Sequence, residues 1–421
     1  MGHTDPTTTG TSTTAIHAGP RHDPQSDALV TPLVQSTTFV NEAVGTSRGH
    51  AYSRVSNPTV SALEAQLGAL EDTPPAVTFG TGLGAETALF FALLKAGDHV
   101  VLGDAIYGGT VRLVQQVLAN LGIEATFVDS SIAANVRAAL RTNTRLIFIE
   151  SPANPTLKLT DIHAVAEIGR EAGIKVAVDN TFLTPVVQRP LDLGVDVCVY
   201  STTKHIEGHS TSLGGSVLSR DEELLERVRF IRKCTGGIQA PFQAWLTARG
   251  AKTLPLRIRQ HSKNALEVAR ALQTNPHVAA VNYPGLETHP QHQLACQQHL
   301  GGIHGGVLSF EVVGGTDAAV DVLNNARLCA LVEHLGGLET LLTHPVTMTH
   351  ADVPRAHRLA VGITDGLIRI SVGLEDAPDI IADLERAISL AHQHTNDDTK
   401  SPKRQHRANT TDTATPPVVP A

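Results

Sequence analysis

Apolar residues in this chain gather into short runs, each closed by a polar or glycine-bearing segment and separated from the next by a longer stretch of helical character. Val100-Val101-Leu102 precedes a helix-like stretch, Gly109–Leu121, which leads into Ala125-Thr126-Phe127-Val128. The runs Arg145–Ile149, Lys175–Val178 and Val195–Tyr200 continue the alternation. It predicts a mostly parallel sheet with helices on both faces. A long helical stretch, Phe242–Thr274, then carries the chain into a second region. There Val278–Val281, Gly306–Glu311 and Leu367–Ser371 read as strands of a smaller α/β domain. Residues 1–12 are rich in Thr and Gly, and the segment 395–421 is polar with Lys/Arg clusters and Pro416-Pro417. Both are expected to be disordered, because they hold too little apolar surface to offset chain entropy.

Three of the apolar runs end in the same manner. Arg145–Ile149 leads into Glu150-Ser151-Pro152-Ala153-Asn154-Pro155, Lys175–Val178 into Asp179-Asn180-Thr181, and Val195–Tyr200 into Ser201-Thr202-Thr203-Lys204. Ligands of open α/β sheets sit beyond the carboxyl ends of the strands, so Asn154, Asp179 and Lys204 are expected in one crevice. A lysine following a buried strand loses its charge to desolvation and becomes a nucleophilic amine, the property that Schiff-base formation with an aldehyde cofactor requires. Asp179 has the charge to hold a protonated ring nitrogen. Phe79-Gly80-Thr81-Gly82-Leu83-Gly84-Ala85-Glu86 reads as a glycine turn entering a helix, Thr87–Lys95, where backbone N–H groups meet a phosphate. Ser201 and Thr203 offer hydroxyls to the same phosphate or cap the following turn. Tyr107, beside Gly108 and Gly109, lies where a ring approaches a flat ligand. Arg369, within an apolar strand, has a fork suited to a carboxylate, with a structural salt bridge to an acid such as Glu375 as the competing reading.

Composition narrows the classes. With 421 residues and 41% hydrophobic content the chain is long enough for a large core and two domains. The net charge of −8 disfavours a general nucleic-acid or anionic-membrane partner. No apolar stretch reaches the length of a membrane span, and the start has no signal-like apolar core. The four cysteines, Cys198, Cys234, Cys296 and Cys329, are far apart and read as reduced thiols, which points to a cytoplasmic protein. No metal site is expected; His289-Pro290-Gln291-His292 is the nearest pattern and reads as a polar loop.

In combination these segments resemble the Cys/Met-metabolism (trans-sulfuration) family of pyridoxal-phosphate enzymes, over roughly Thr13 to Leu390. Its members include cystathionine γ-synthase, cystathionine γ-lyase, methionine γ-lyase and homoserine-ester sulfhydrylases. Ile16-His17-Ala18-Gly19 and Pro32-Leu33 through Thr38-Phe39 match the family's amino-terminal arm, and Tyr52-Ser53-Arg54-Val55-Ser56-Asn57-Pro58-Thr59 its phosphate-reaching segment. The resemblance implies an aspartate-aminotransferase-like fold of pyridoxal-phosphate type I: an arm at 13–58, a large cofactor-binding domain at 59–250 and a small C-terminal domain at 251–394. It implies pyridoxal 5′-phosphate as cofactor, with Gly82, Leu83, Ser201 and Thr203 on the phosphate and Tyr107 stacked on the ring. Asn154 then lies near the ring hydroxyl, Asp179 at the ring nitrogen with Thr181 beside it, Lys204 on the aldehyde carbon and Arg369 on the substrate carboxylate. Tyr52 and Arg54 reach the cofactor of a neighbouring subunit, which implies a homodimer at least and a dimer of dimers by family habit.

The chain departs from the family pattern at His205, at Thr211-Ser212 and at His334, the last in a loop that borders the substrate in relatives. Glu333 is shared with cystathionine-handling members, and Gly109 stands where methionine γ-lyases carry cysteine. The expected activity is γ-replacement of an activated homoserine ester by a thiol, with Lys204 and Tyr107 as proton carriers and Glu333 and His334 against the substrate. The alternatives are cystathionine γ-lyase-type elimination, homoserine-ester sulfhydrylation and, last, methionine γ-lyase. Outside the class stand a nicotinamide dehydrogenase built on the turn near Gly82 and a non-catalytic binding protein.

Overall fold

The computed structural model describes residues 10–398 except 21, 24, 25 and 352. Most of the two segments expected to be disordered lies outside these residues. Beyond the extended Gly10, what is described of them is helical: one helix begins at Thr11 and the last ends at Asp398. The first is drawn into order by Ala15, which is fully buried, and by Gln66, whose amide donates to the Ala15 carbonyl.

Among the described residues seven strands form the large sheet: β1 (Val77–Phe79), β2 (His99–Gly103), β3 (Glu124–Val128), β4 (Thr144–Glu150), β5 (Lys175–Asp179), β6 (Val197–Tyr200) and β7 (Gly215–Leu218). Their order is β1-β7-β6-β5-β4-β2-β3, and only the pairings made by β7 are antiparallel. The central strands are buried on both faces. Ile147, Ile149, Val176 and Val178 pack on one side with the helix Ile162–Ala172. Leu146, Phe148, Ala177, Val197 and Val199 pack on the other with the helices Gly82–Leu93 and Glu222–Thr235. This is why these runs are apolar throughout instead of alternating.

Helix boundaries follow local chemistry. Asp161 and Asp221 accept from the amides of Ala164 and Leu224, and Gly173 and Gly236 close the same two helices in the left-handed region. The helix expected at Thr87–Lys95 instead runs Gly82–Leu93, because the Thr81 hydroxyl accepts from Gly84 N (3.0 Å) and caps it earlier.

The second sheet comprises β8 (Val278–Asn282), β9 (Val307–Val312), β10 (Ala330–Leu331), β11 (Leu341–Thr343) and β12 (Leu367–Ser371), ordered β10-β11-β12-β9-β8. It is covered by the helices Gly315–Asn325 and Ala377–Asp398. The two sheets are joined by one helix, Pro241–Thr274. Ala244, Ala251, Leu254 and Ile258 belong to the core of the large sheet, and Ala265, Val268, Ala269 and Leu272 to that of the small one. The expected boundary after residue 250 therefore falls inside a continuous helix; core membership changes between Ile258 and Ala265. Among the described residues no helix is long and apolar enough to cross a membrane, and no group of three or more His, Cys, Asp or Glu is placed to hold a metal ion.

Candidate active site

Beyond the carboxyl ends of the adjacent strands β4, β5 and β6 lies a cavity of about 360 Å³. Gly82, Leu83, Tyr107, Asn154, Asp179, Thr181, Ser201, Thr203, Lys204, Glu333, His334 and Arg369 all line it. Tyr52 and Arg54 do not. Tyr52 is exposed, and the Arg54 guanidinium lies over its ring at 5.3 Å while donating to the Lys233 carbonyl (2.8 Å).

Lys204 stands in the turn after β6. Burial, helped by the Arg369 charge, lowers its amine to about 8. Roughly a tenth is therefore neutral at pH 7, against a negligible fraction for an ordinary lysine. The turn is held from behind by the buried Arg257, whose guanidinium donates to the carbonyls of His205 (2.7 Å), Ile206 (3.1 Å) and Gly250 (2.8 Å). Gly208 closes it with φ +73°, and a side-chain carbon there would run into that guanidinium. Gly208→Ala is expected to destabilise the protein by about 3 kcal/mol, from the left-handed backbone and the displaced arginine. Denaturant unfolding checks this; a midpoint equal to that of the unaltered chain contradicts it.

Asp179 ends β5. Its Oδ1 accepts from Thr181 N (2.9 Å) and Thr181 Oγ1 (2.5 Å), and Thr181 Oγ1 in turn accepts from Ser201 N (2.8 Å), tying two strand ends together. Burial raises the Asp179 carboxyl, opposed by the bonds from Thr181. Two further buried acids share the cavity. Glu150, at the end of β4, accepts from Tyr107 N (2.7 Å), and burial with the Asp179 charge lifts it well above the usual range. Glu86 accepts from Thr110 Oγ1 (2.7 Å) and is raised to about 8 by burial and Asp179. Burial and the Asp179 charge disfavour the ionised form of both, which leaves Asp179 to meet a cationic nitrogen.

At the start of Gly82–Leu93 the Thr81 side chain satisfies Gly84 N, while the amides of Gly82 and Leu83 have no intrahelical acceptor and suit an anion. A side-chain carbon on Gly82 would lie 2.8 Å from Ser201 Cβ, so glycine lets the helix start abut β6. The Thr203 hydroxyl donates to Gly214 O (3.1 Å) and accepts from Gly214 N (2.9 Å), so its one proton is already committed to a neighbouring loop. Tyr107 is partly exposed, and its ring lies against Gly109, where any side chain would collide with it.

On the small-domain side Arg369 is buried. It donates to Asn154 Oδ1 (3.0 Å), His334 O (3.0 Å) and Thr343 Oγ1 (2.9 Å), and its Nε is buried without a partner. The competing salt bridge to Glu375 is not formed; that carboxylate accepts from Thr340 N (2.6 Å) and Thr340 Oγ1 (2.9 Å) instead. His334 Nδ1 lies 3.3 Å from Lys204 Nζ. His205 does not reach the cavity. It is buried edge-on against His261, with ring centroids 5.5 Å apart and both of its ring nitrogens unpartnered.

Sequence reasoning missed Glu86, Glu150, Arg112 and Thr349, which also line the cavity. The strand-end rule that selected Asp179 applies equally to Glu150, and Glu86 lies one helical turn beyond Gly82 on the same face.

An amine at a strand end, an acid one strand away, free amides at a helix start and an orphaned arginine nitrogen together fit a phosphorylated pyridine aldehyde and an amino-acid carboxylate. Their combination on this two-domain α/β frame defines a pyridoxal-phosphate-dependent enzyme. The chain belongs to the Cys/Met metabolism family of PLP-dependent enzymes, whose model matches residues 12–389, and pyridoxal 5′-phosphate is its cofactor. It is 45% identical over 377 residues to a cystathionine γ-lyase of Bacillus subtilis (strain 168), covering 89% of this chain and 98% of the relative. It is 44% identical over 380 residues to a cystathionine γ-synthase of Mycobacterium bovis, covering 90% and 97%. Among solved structures, that of metB from Corynebacterium glutamicum superposes with a TM-score of 0.89 at 43% identity, covering 92% of this chain and 100% of that one. The expected fold class and cofactor are thereby met, and the chain is an enzyme of the Cys/Met metabolism family.

Proposed function

We propose that this enzyme catalyses γ-replacement, exchanging the γ-substituent of an activated homoserine ester for the thiol of cysteine. The observation that carries the choice is a second cavity of about 370 Å³ that shares Thr203, Lys204, Leu213, Glu333 and His334 with the first and is otherwise lined by Ser210, Thr211 and Ser212. Replacement needs room for a second polar substrate beside the first, and each cavity is within the range of small-molecule sites. γ-Elimination of cystathionine is the second reading, favoured by the similarity to the Bacillus subtilis lyase.

When bound, the cofactor supplies an electron sink for negative charge developing next to the substrate's amine-bearing carbon. Lys204 would hold its aldehyde carbon and, as a free amine, would take the proton from substrate Cα. Asp179 carries the negative charge that keeps the ring nitrogen protonated, and Thr181 fixes that carboxylate. The amides of Gly82 and Leu83, with the Ser201 hydroxyl, face the phosphate, and Tyr107 covers the ring. Asn154 orients Arg369 toward the substrate carboxylate, and Glu333 meets the ammonium of the incoming amino acid. Tyr52 and Arg54 complete the site of a second copy. The exposed Leu29, Val30, Val40 and Val44 on the same arm give that copy an apolar surface to cover.

Arg369→Leu removes a charge-assisted clamp and is expected to raise the apparent KM for the amino acid roughly tenfold to a hundredfold, with a smaller effect on kcat. Steady-state kinetics decide it, and an unchanged KM removes Arg369 from the substrate. The reaction itself is tested by incubating the cofactor-loaded enzyme with O-succinylhomoserine, O-acetylhomoserine or cystathionine, each with and without cysteine or sulfide. Thioether formed from an ester and cysteine supports replacement; 2-oxobutyrate from cystathionine as the main product replaces it with the elimination reading.

A further inference from the structure

We propose that His334 is a positioning residue whose Nδ1–H donates to the Lys204 amine and enlarges the share of that amine in its neutral, nucleophilic form. The inference rests on Lys204 being the cofactor-binding amine.

The geometry is the first support. His334 Nδ1, at 3.3 Å, is the only hydrogen-bond partner of Lys204 Nζ among the described residues. The backbone of His334 is fixed from the small domain, since Arg369 Nη2 donates to its carbonyl (3.0 Å) while Arg369 Nη1 is held by Asn154. The ring is therefore presented to the lysine by the same residue that lies ready for the substrate carboxylate.

The second support is the other ring nitrogen. His334 Nε2 is buried and has no partner among the described residues. A neutral imidazole carries its proton on one nitrogen only. A proton on Nε2 would bury an N–H without an acceptor, the arrangement that folded proteins avoid most consistently. A proton on Nδ1 finds the lone pair of the lysine amine and leaves only a bare lone pair buried. The second tautomer is the favoured one whenever the amine is neutral, and so it adds to the roughly one tenth that burial leaves neutral at pH 7. Burial, with Lys204 and Arg369 nearby, lowers His334 to about 4, so its ring is uncharged at physiological pH.

Other charges face this pair. Arg369 on β12 disfavours the ammonium form of Lys204. Glu207, in the turn after Lys204, favours positive charge on His334, and Asp179 from β5 and Glu333 on the loop of His334 line the same cavity. Burial with the Asp179 charge disfavours the ionised forms of Glu86 and Glu150, and Tyr107 and Arg112 complete the charged and titratable lining. His205, the next residue in the chain, is buried and neutral.

In turnover the lysine lone pair takes the substrate Cα proton. The C–H bond breaks with its electron pair left on carbon, and an N–H bond forms on Nζ. The resulting ammonium faces an N–H instead of a lone pair, which favours handing that proton on.

The test uses the full-length chain freed of cofactor, mixed with pyridoxal 5′-phosphate across a range of pH and reduced with borohydride. The midpoint of bond formation reports the Lys204 amine. His334→Leu removes the donor, and the midpoint is expected to rise by about one unit, a roughly tenfold loss of neutral amine at fixed pH. His334→Met, apolar and of similar length, is expected to give the same rise should the leucine variant not fold. His334→Gln, which keeps an N–H donor, should stay near the unaltered chain. A purely packing role predicts the opposite sign, because an apolar neighbour dries the amine and lowers the midpoint. A lowered or unchanged midpoint in the apolar variants overturns the proposal. Absence of any reducible bond at Lys204 in the unaltered chain overturns the reading of Lys204 itself, a distinguishable failure.

Discussion

Lys204→Ala is expected to lower turnover roughly ten-thousand-fold, since the variant loses both the amine that holds the cofactor and the base that removes the Cα proton. The argument is local. Lys204 is the amine that the cavity places beyond β6, in a turn fixed by Arg257, and burial has already brought it to about 8. No other lysine lines the cavity among the described residues, so no neighbouring amine stands in. The variant should still fold, because the truncated chain faces a cavity and not packed core. Turnover measured beside the visible absorption of bound cofactor checks both halves. Retained turnover with an intact band rules out the assignment.

Asp179→Asn carries the second large effect. An ion pair at about 4 Å in a medium of effective dielectric near 20 is worth roughly 4 kcal/mol, or about three pK units at the ring nitrogen. Losing it removes the protonated electron sink, so kcat is expected to fall roughly a thousandfold. Asparagine keeps the side chain's shape and a carbonyl acceptor for Thr181, so strand-end geometry survives. The neighbouring acids do not compensate, since burial disfavours their ionised forms and they already accept from Tyr107 N and Thr110 Oγ1. A kcat within a few-fold of the unaltered enzyme would falsify this role.

Much of the site was legible in the sequence because parallel strands bury continuous apolar runs and expose their ends together. The residues at and just beyond the ends of β4, β5 and β6 therefore point to Asn154, Asp179 and Lys204. Less legible was everything set by tertiary contact. Glycines 82 and 84 suggested an extended turn, but the Thr81 cap starts the helix at Gly82. Thr203 looked free for a phosphate, yet its hydroxyl is held by both backbone groups of Gly214, a contact across eleven residues. His205, where the chain departs from the family pattern, follows the lysine in sequence, but the turn directs it inward against His261. β1 and β7 are short, and β7 includes Gly215 and Ser216, so neither carried a strong apolar signal. The domain boundary was hidden because one helix serves two cores.

The central claim is that Lys204 is the residue that holds the cofactor. Its most direct test is borohydride reduction of the cofactor-loaded enzyme followed by peptide mapping. A pyridoxyl group is predicted on the peptide containing Lys204 and nowhere else. A label on another lysine, or none at all, would contradict the account.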